Sequence, residues 1–346
     1  MSLGIRAIRV DQPEAISQNS LLGESIPSIY RHLYDEAGNK SRPSSVRRGV
    51  SFQPTEPYMA TSALVELRSC EMATQVADMM TRPIKKLKKQ VTTVIHAQCT
   101  VDQQILSSTC LRLQNDHFIN SQYTLSVGQV GTVGVGSAIE LAKHRLRKDE
   151  GRLISISACD KWIAPYIRRY PTLVAYGDAA AACLIGKGNR QDCIAEVLAT
   201  SIVAKPLGYE FYSVSPELHR ENLINIATQS IKTLMTKVVD QKIEIDGLIG
   251  DCYELPVVKK IADQVHMYEK AVLPEKDVCH ASSAEYLLSI VKALRETQCQ
   301  SRAMNFIIWT ASLSGHAAAM LIRCYPDCLM HSGTYLKAHT KVNAEF

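Results

Sequence analysis

Short β-branched runs alternate with amphipathic stretches along most of this chain. "VTTVIHAQC" (Val91 to Cys99), "RLISISACD" (Arg152 to Asp160), "CIAEVLATSIV" (Cys193 to Val203), "DGLIGDC" (Asp246 to Cys252), "MNFIIWTAS" (Met304 to Ser312) and "HAAAMLIRC" (His316 to Cys324) read as strands. Helical spacing marks Ala63 to Met80, Ser107 to His117, Glu217 to Val239, Val257 to Val265 and Ser282 to Glu296. Strands and helices alternate in both halves, which predicts an α/β protein with helices covering mixed sheets. Gly4 to Val10 is a further expected strand. The polar stretch 11–62, with Pro13, Pro27, Pro43, Pro54 and Pro57, reads as an irregular excursion. The expected division is 1–190 and 191–346, with no repeat visible in the sequence.

One stretch, "YTLSVGQVGTVGVGSAIELA" (residues 123 to 142), combines two periods. Tyr123, Leu125 and Val127 alternate as in a strand, a glycine-spaced turn follows, and Val135, Ala138, Ile139 and Ala142 then recur at helical spacing. Such a layout displays residue 129 at a helix N-terminus, where the dipole favours negative charge. That residue is Gln129, whose amide donates and accepts hydrogen bonds but cannot carry an acyl group.

The chain's 346 residues, 46% hydrophobic and 21% charged, suffice for a large core. The 39 Lys and Arg exceed the 34 Asp and Glu, and a basic run at Arg82 to Gln90 reads as a solvated helix end, although it could touch an acidic carrier protein, a phosphate or nucleic acid. No stretch approaches the roughly 18 apolar residues needed to span a bilayer, and the start lacks the apolar core of a signal peptide, so a cytoplasmic protein without membrane or nucleic-acid partners is expected. Eleven scattered cysteines argue for reduced core thiols rather than disulfides or a zinc site, and no metal or cofactor is expected. Gly134 and Gly136 are followed by Ile139 where a dinucleotide fold needs a third glycine. Neither a P-loop, a G-x-S-x-G elbow nor an HExxH pair is present, which removes dehydrogenase, NTPase, α/β-hydrolase and zincin readings.

"YTLSVGQVGTVGVGSAIELAK", "TLVAYGDAAAACLIG", "DGLIGDCYELPVVKKIADQV", "CHASSAEYLLSIVKAL" and "WTASLSGHAAAMLIR", in that order, resemble the beta-ketoacyl-acyl-carrier-protein synthase III branch of the thiolase superfamily. The resemblance implies a thiolase fold, with two similar α/β halves in a layered αβαβα body, acting as a dimer on acyl-CoA or acyl-carrier-protein thioesters in fatty-acid or polyketide biosynthesis. Carried over residue by residue, the family's nucleophilic cysteine falls on Gln129, its histidine on Asp251 and its asparagine on His280, the last two 29 residues apart. All three depart from the pattern. Without a thiol no thioester to the enzyme forms at position 129, and a carboxylate replaces one of two neutral donors that stabilise an enolate.

Two functions follow. The first is a non-condensing partner subunit of a ketosynthase heterodimer; the second is an acyltransferase or malonyl-thioester decarboxylase, as a homodimer or heterodimer, in which Asp251 orients His280 as a general base. Each residue also has a plainer role: His280 as a cap for the helix near Ser282, Asp251 as an acceptor for backbone donors, Asp178 as a turn acceptor. Cys110 is the best substitute thiol, with core packing as its alternative. His316 and Gly315, in "SGHAAA", match the family's glycine-rich loop near the active cysteine and are expected at the substrate, His316 with internal packing as its alternative.

Overall fold

The computed structural model describes residues 2–12, 15–17, 60–62, 69–100, 108–147, 152–162, 169–170, 173–205, 215–274, 279–331 and 333–337. Most of the expected excursion at 11–62, and residues 63–68 of the first expected helix, lie outside them.

The first half contributes β1 (Leu3–Asp11), helix α1 (Ser69–Thr81), β2 (Val91–Ala97), helix α2 (Thr109–His117), β3 (Tyr123–Val127), helix α3 (Gly134–Leu146), β4 (Leu153–Asp160) and β5 (Ala179–Lys187). The second contributes β6 (Ala195–Ala204), helix α4 (Pro216–Val238), β7 (Gly247–Gly250), helix α5 (Leu255–Gln264), β8 (Ala271–Val272), helix α6 (Glu285–Gln298), β9 (Met304–Ala311) and β10 (His316–Cys324). A hairpin of β11 (Cys328–His331) and β12 (Thr334–Lys337) returns to pair with β1.

Strand order is β3-β2-β4-β5-β1 in the first half and β8-β7-β9-β10-β6 in the second, which is one order, third-second-fourth-fifth-first, used twice. In each half the first two pairings at the outer edge are parallel and the last two antiparallel. Leu3 to Ile5 pair with Ala195 to Val197 and join the halves. The duplication absent from the sequence is therefore present in the topology.

Three hydrophobic clusters explain the layering. Met72, Val76 and Met80 of α1 cover one face of the first half with Leu153 and Leu184. Leu223, Ile231 and Leu234 of α4 and Val257 and Ile261 of α5 cover the opposite face of the second half around Trp309 and Leu321. Between them, Val135, Ala138 and Ile139 of α3 and Tyr286, Leu287 and Ile290 of α6 pack against strands of both halves. The result is an α-β-α-β-α stack in which α3 and α6 form the middle layer.

Burial follows the strand periodicity except at one edge. All residues of β4 are buried, whereas β3 pairs, among the described residues, only with β2 and leaves Tyr123 49% and Leu125 41% exposed. The alternation that predicted β3 is correct, but its apolar side faces outward. Among the described residues no helix is long and apolar enough to cross a membrane.

Candidate active site

The carboxyl ends of β2, β3, β4, β7 and β9 meet where α3 and α6 begin. Both helices are entered through a 3₁₀ turn, Gly131–Val133 before α3 and Ser282–Ala284 before α6, and through left-handed backbone: Gln129 at φ 61°, Gly131 at φ 58° and Ser282 at φ 52°. Gly131 must be glycine for a second reason, since a Cβ there would lie 1.7 Å from Ser312 Oγ. Each entry is tied to the other half. Thr132 Oγ1 donates to the Ala311 carbonyl at 2.8 Å and lies 3.2 Å from Thr310 Oγ1, while the Ser283 amide donates to Asp160 Oδ2 at 2.9 Å.

Asp251 and His280 are brought together and both have no exposed surface. Asp251 Oδ2 accepts from Thr310 Oγ1 at 2.8 Å and from the Ala311 amide at 2.9 Å, and His280 Nε2 stands 3.3 Å from the same oxygen, off the hydrogen-bond line. His280 Nδ1 accepts the Ser282 amide at 2.9 Å. A ring nitrogen that accepts an amide carries no proton, so the ring proton sits on Nε2 and faces Asp251. Tyr176 and Tyr253 wall the ring at 5.2 and 5.0 Å between centroids.

A second carboxylate completes the cluster. Glu285, buried at the start of α6, accepts the Ala281 amide at 2.7 Å, lies 3.9 Å from His280 Nδ1 and faces Lys292 Nζ at 3.8 Å. Lys292 Nζ also donates to Cys252 Sγ at 3.4 Å. The sequence signal for Glu285 is Ser282-x-x-Glu285, the spacing of a capping box.

Burial alone would lower the His280 pKa, but Asp251 and then Glu285 outweigh it and raise it above the ordinary value. Burial raises the Asp251 carboxyl against the pull of His280, and burial raises Asp160 as well. The two carboxyls therefore bind protons more tightly folded than unfolded, whereas the Ser282 amide on Nδ1 opposes a second proton on His280. The carboxyls' contribution to stability is complete below their unfolded pKa, about 4, and is lost as pH rises through the folded ones. Denaturant midpoints are therefore expected to fall as pH rises above about 4, and Asp251→Asn, which removes one of the two carboxyls, to flatten that decline. A midpoint that climbs over this range contradicts the assignment.

The other expected residues sit around this cluster. Gln129 is exposed, whereas Asp251 and His280 are fully buried. Cys110 is buried and donates its Sγ–H to the Leu125 carbonyl at 2.6 Å, and burial pushes its thiol up. Gly315, at φ 86°, closes the β9–β10 turn by donating to the Ser312 carbonyl at 3.0 Å. His316 is half-buried beside Ser314 rather than packed inside. Asp178 Oδ1 accepts the amide of Trp162, sixteen residues earlier in the chain, at 2.8 Å. Cys99, read as core filling, is half-buried with Sγ 3.2 Å from Ser283 Oγ. Its thiol is pushed well up by burial and by Asp160, which makes it a poor nucleophile. Lys85, Lys86 and Lys89 are exposed before β2 begins, about 20 Å from the site along a seven-residue strand rising about 3.3 Å per residue.

No protein-family model matches the chain, and no curated protein sequence does. Solved structures match closely in three dimensions. The acyltransferase ChlB3 has a TM-score of 0.72 at 12% identity, covering 94% of this chain and 98% of its own. The 3-oxoacyl-(acyl carrier protein) synthase III FabH from Pseudomonas aeruginosa PAO1 has 0.69 at 13%, covering 94% and 99%. AbyA1, a tetronic acid condensing enzyme, has 0.69 at 10%, covering 93% and 99%. With the repeated strand order, the two central helices and near-complete coverage of these enzymes, the chain has the thiolase fold in its synthase III-like form.

Proposed function

We propose that the protein is a non-condensing, synthase III-like subunit of fatty-acid or polyketide biosynthesis that pairs with a cysteine-bearing ketosynthase chain. The observation that carries this reading is the state of His280. One ring nitrogen accepts the Ser282 amide, the other faces Asp251, and the ring has no exposed surface, so no basic nitrogen is offered to a substrate. Gln129 keeps the left-handed turn of a nucleophile elbow while providing only an amide. Acyl transfer or decarboxylation driven by the Asp251 and His280 pair needs a free nitrogen that this arrangement does not supply.

The edge strand β3 is the surface for the partner. Among the described residues it pairs with a strand on one side only, and Leu111 (56%), Ile119 (78%), Tyr123 and Leu125 are exposed apolar residues on α2, its following loop and β3. Arg145 lies 4.0 Å over the Tyr123 ring and holds it in place. Co-expressed with a cysteine-bearing synthase III-like chain, the protein is expected to elute as a 1:1 complex, and Leu125→Arg to dissociate it while each chain stays folded. Alone, it is expected to give no condensation product from an acyl and a malonyl thioester. Turnover by the isolated chain that disappears in His280→Ala, with folding intact, overturns this reading in favour of an independent enzyme.

A further inference from the structure

The turn between β9 and β10 carries three polar side chains in sequence, and they bond in a row. Ser312 Oγ lies 2.9 Å from Ser314 Oγ, and Ser314 Oγ lies 3.1 Å from His316 Nδ1. Ser312 is nearly buried and its Oγ accepts the Ser314 amide at 3.2 Å, whereas Ser314 is exposed and His316 half-buried. The row abuts the elbow, because a Cβ on Gly131 would meet Ser312 Oγ at 1.7 Å and Ser314 Oγ at 3.0 Å. Backbone bonds fix the turn: the Ser312 amide donates to the His316 carbonyl at 2.7 Å and the Gly315 amide to the Ser312 carbonyl at 3.0 Å. Unlike His280, His316 has a hydroxyl on one nitrogen and is open to solvent.

We propose that Ser314 is a nucleophile and His316 its base, a second reactive centre at the mouth of the site that takes an acyl group from a thioester. In this step Nδ1 removes the Ser314 Oγ proton, Oγ bonds to the thioester carbonyl carbon, and the carbon–sulfur bond breaks. The leaving thiolate takes the proton back from His316, giving an acyl ester on Ser314 and a free thiol. Water, deprotonated by the same imidazole, then attacks the ester and releases the carboxylic acid, with the proton returned to Ser314. Ser312 donates to Ser314 Oγ, and the positive end of the 13-residue α3 lies alongside, so both ease charge on that oxygen. The thioester as substrate rests on the synthase III-like reading above; the serine and histidine pair does not.

The test uses the full chain with acetyl-CoA and, separately, p-nitrophenyl acetate, reading intact mass, the acylated peptide and release of thiol or nitrophenol. Acetyl on Ser314 from acetyl-CoA, or thiol release lost in Ser314→Ala and slowed about 100-fold in His316→Ala, is the expected result. Ser314→Cys is expected to retain the label as a thioester. Acetylation of Ser314 by the nitrophenyl ester with acetyl-CoA inert keeps the pair and overturns the thioester substrate. Acetylation elsewhere, rates unchanged in Ser314→Ala, or no reaction with either probe overturns the pair, and none of these outcomes bears on whether β3 docks a partner.

Discussion

Gly250→Ala is expected to be among the most destabilising single-methyl changes in this chain, at about 3 kcal/mol or more. Its Cβ would lie 1.9 Å from Trp309 Cε2 and 2.2 Å from both Cζ2 and Nε1. Trp309 cannot retreat, because it is 1% exposed and packed among Leu248, Tyr253 and Leu321. Parallel pairing holds Gly250 opposite Trp309, so the strain passes to β7 and to Asp251 next in sequence. Denaturant unfolding in two backgrounds checks the cause. Trp309→Phe removes the indole atoms that the methyl meets, and the Gly250→Ala penalty should shrink there. An equal penalty in both backgrounds would mean that the ring is not what excludes the side chain.

The alternation of strands and helices was legible because buried strands here are β-branched and the helices keep one apolar face. Ile154, Ile156 and Ile308 sit in the core as their runs predict. The twofold use of one strand order was not legible, since topology constrains which residues are apolar but not which apolar residue is chosen. Tyr123 and Leu125 show a different limit. Their alternation correctly gives a strand, but apolar residues require only that something covers them, and at β3 nothing in the described chain does.

At the site, the sequence placed Asp251 and His280 at one locus, and they are neighbours. It did not reveal that His280 uses one nitrogen as a cap, because that depends on the left-handed turn at Ser282. Glu285 was not singled out from the sequence, although it is a buried carboxylate beside the ring. Ser312 and Ser314 passed unnoticed because Ser–Leu–Ser reads as any turn, and only Gly131, arriving from the other half, shows where that turn sits.

Asp251→Ala is expected to cost about 3 kcal/mol, because it takes the acceptor from two buried donors at about 1–3 kcal/mol each. Two groups would lose an acceptor in a dry interior, the Thr310 hydroxyl and the Ala311 amide, and the Nε2 proton of His280 would lose the carboxylate it faces. The neutral imidazole would still face Glu285, at 3.9 Å from its other nitrogen. Asp251→Asn separates charge from shape. Its amide oxygen can still accept from Thr310 and Ala311, and losing the charge removes the repulsion that Glu285 exerts on the carboxylate, so a loss of only about 1 kcal/mol is expected. Denaturant unfolding of the two variants against wild type therefore ranks them Ala far below Asn. If Asn proved as damaging as Ala, the negative charge itself, rather than its two hydrogen bonds, would be what the cluster requires, and His280 would have to be imidazolium in the folded chain. The amide at Nδ1 forbids that state without movement of the Ser282 turn. The near-normal stability expected of Asp251→Asn thus tests the neutral, doubly engaged ring on which the non-condensing reading depends.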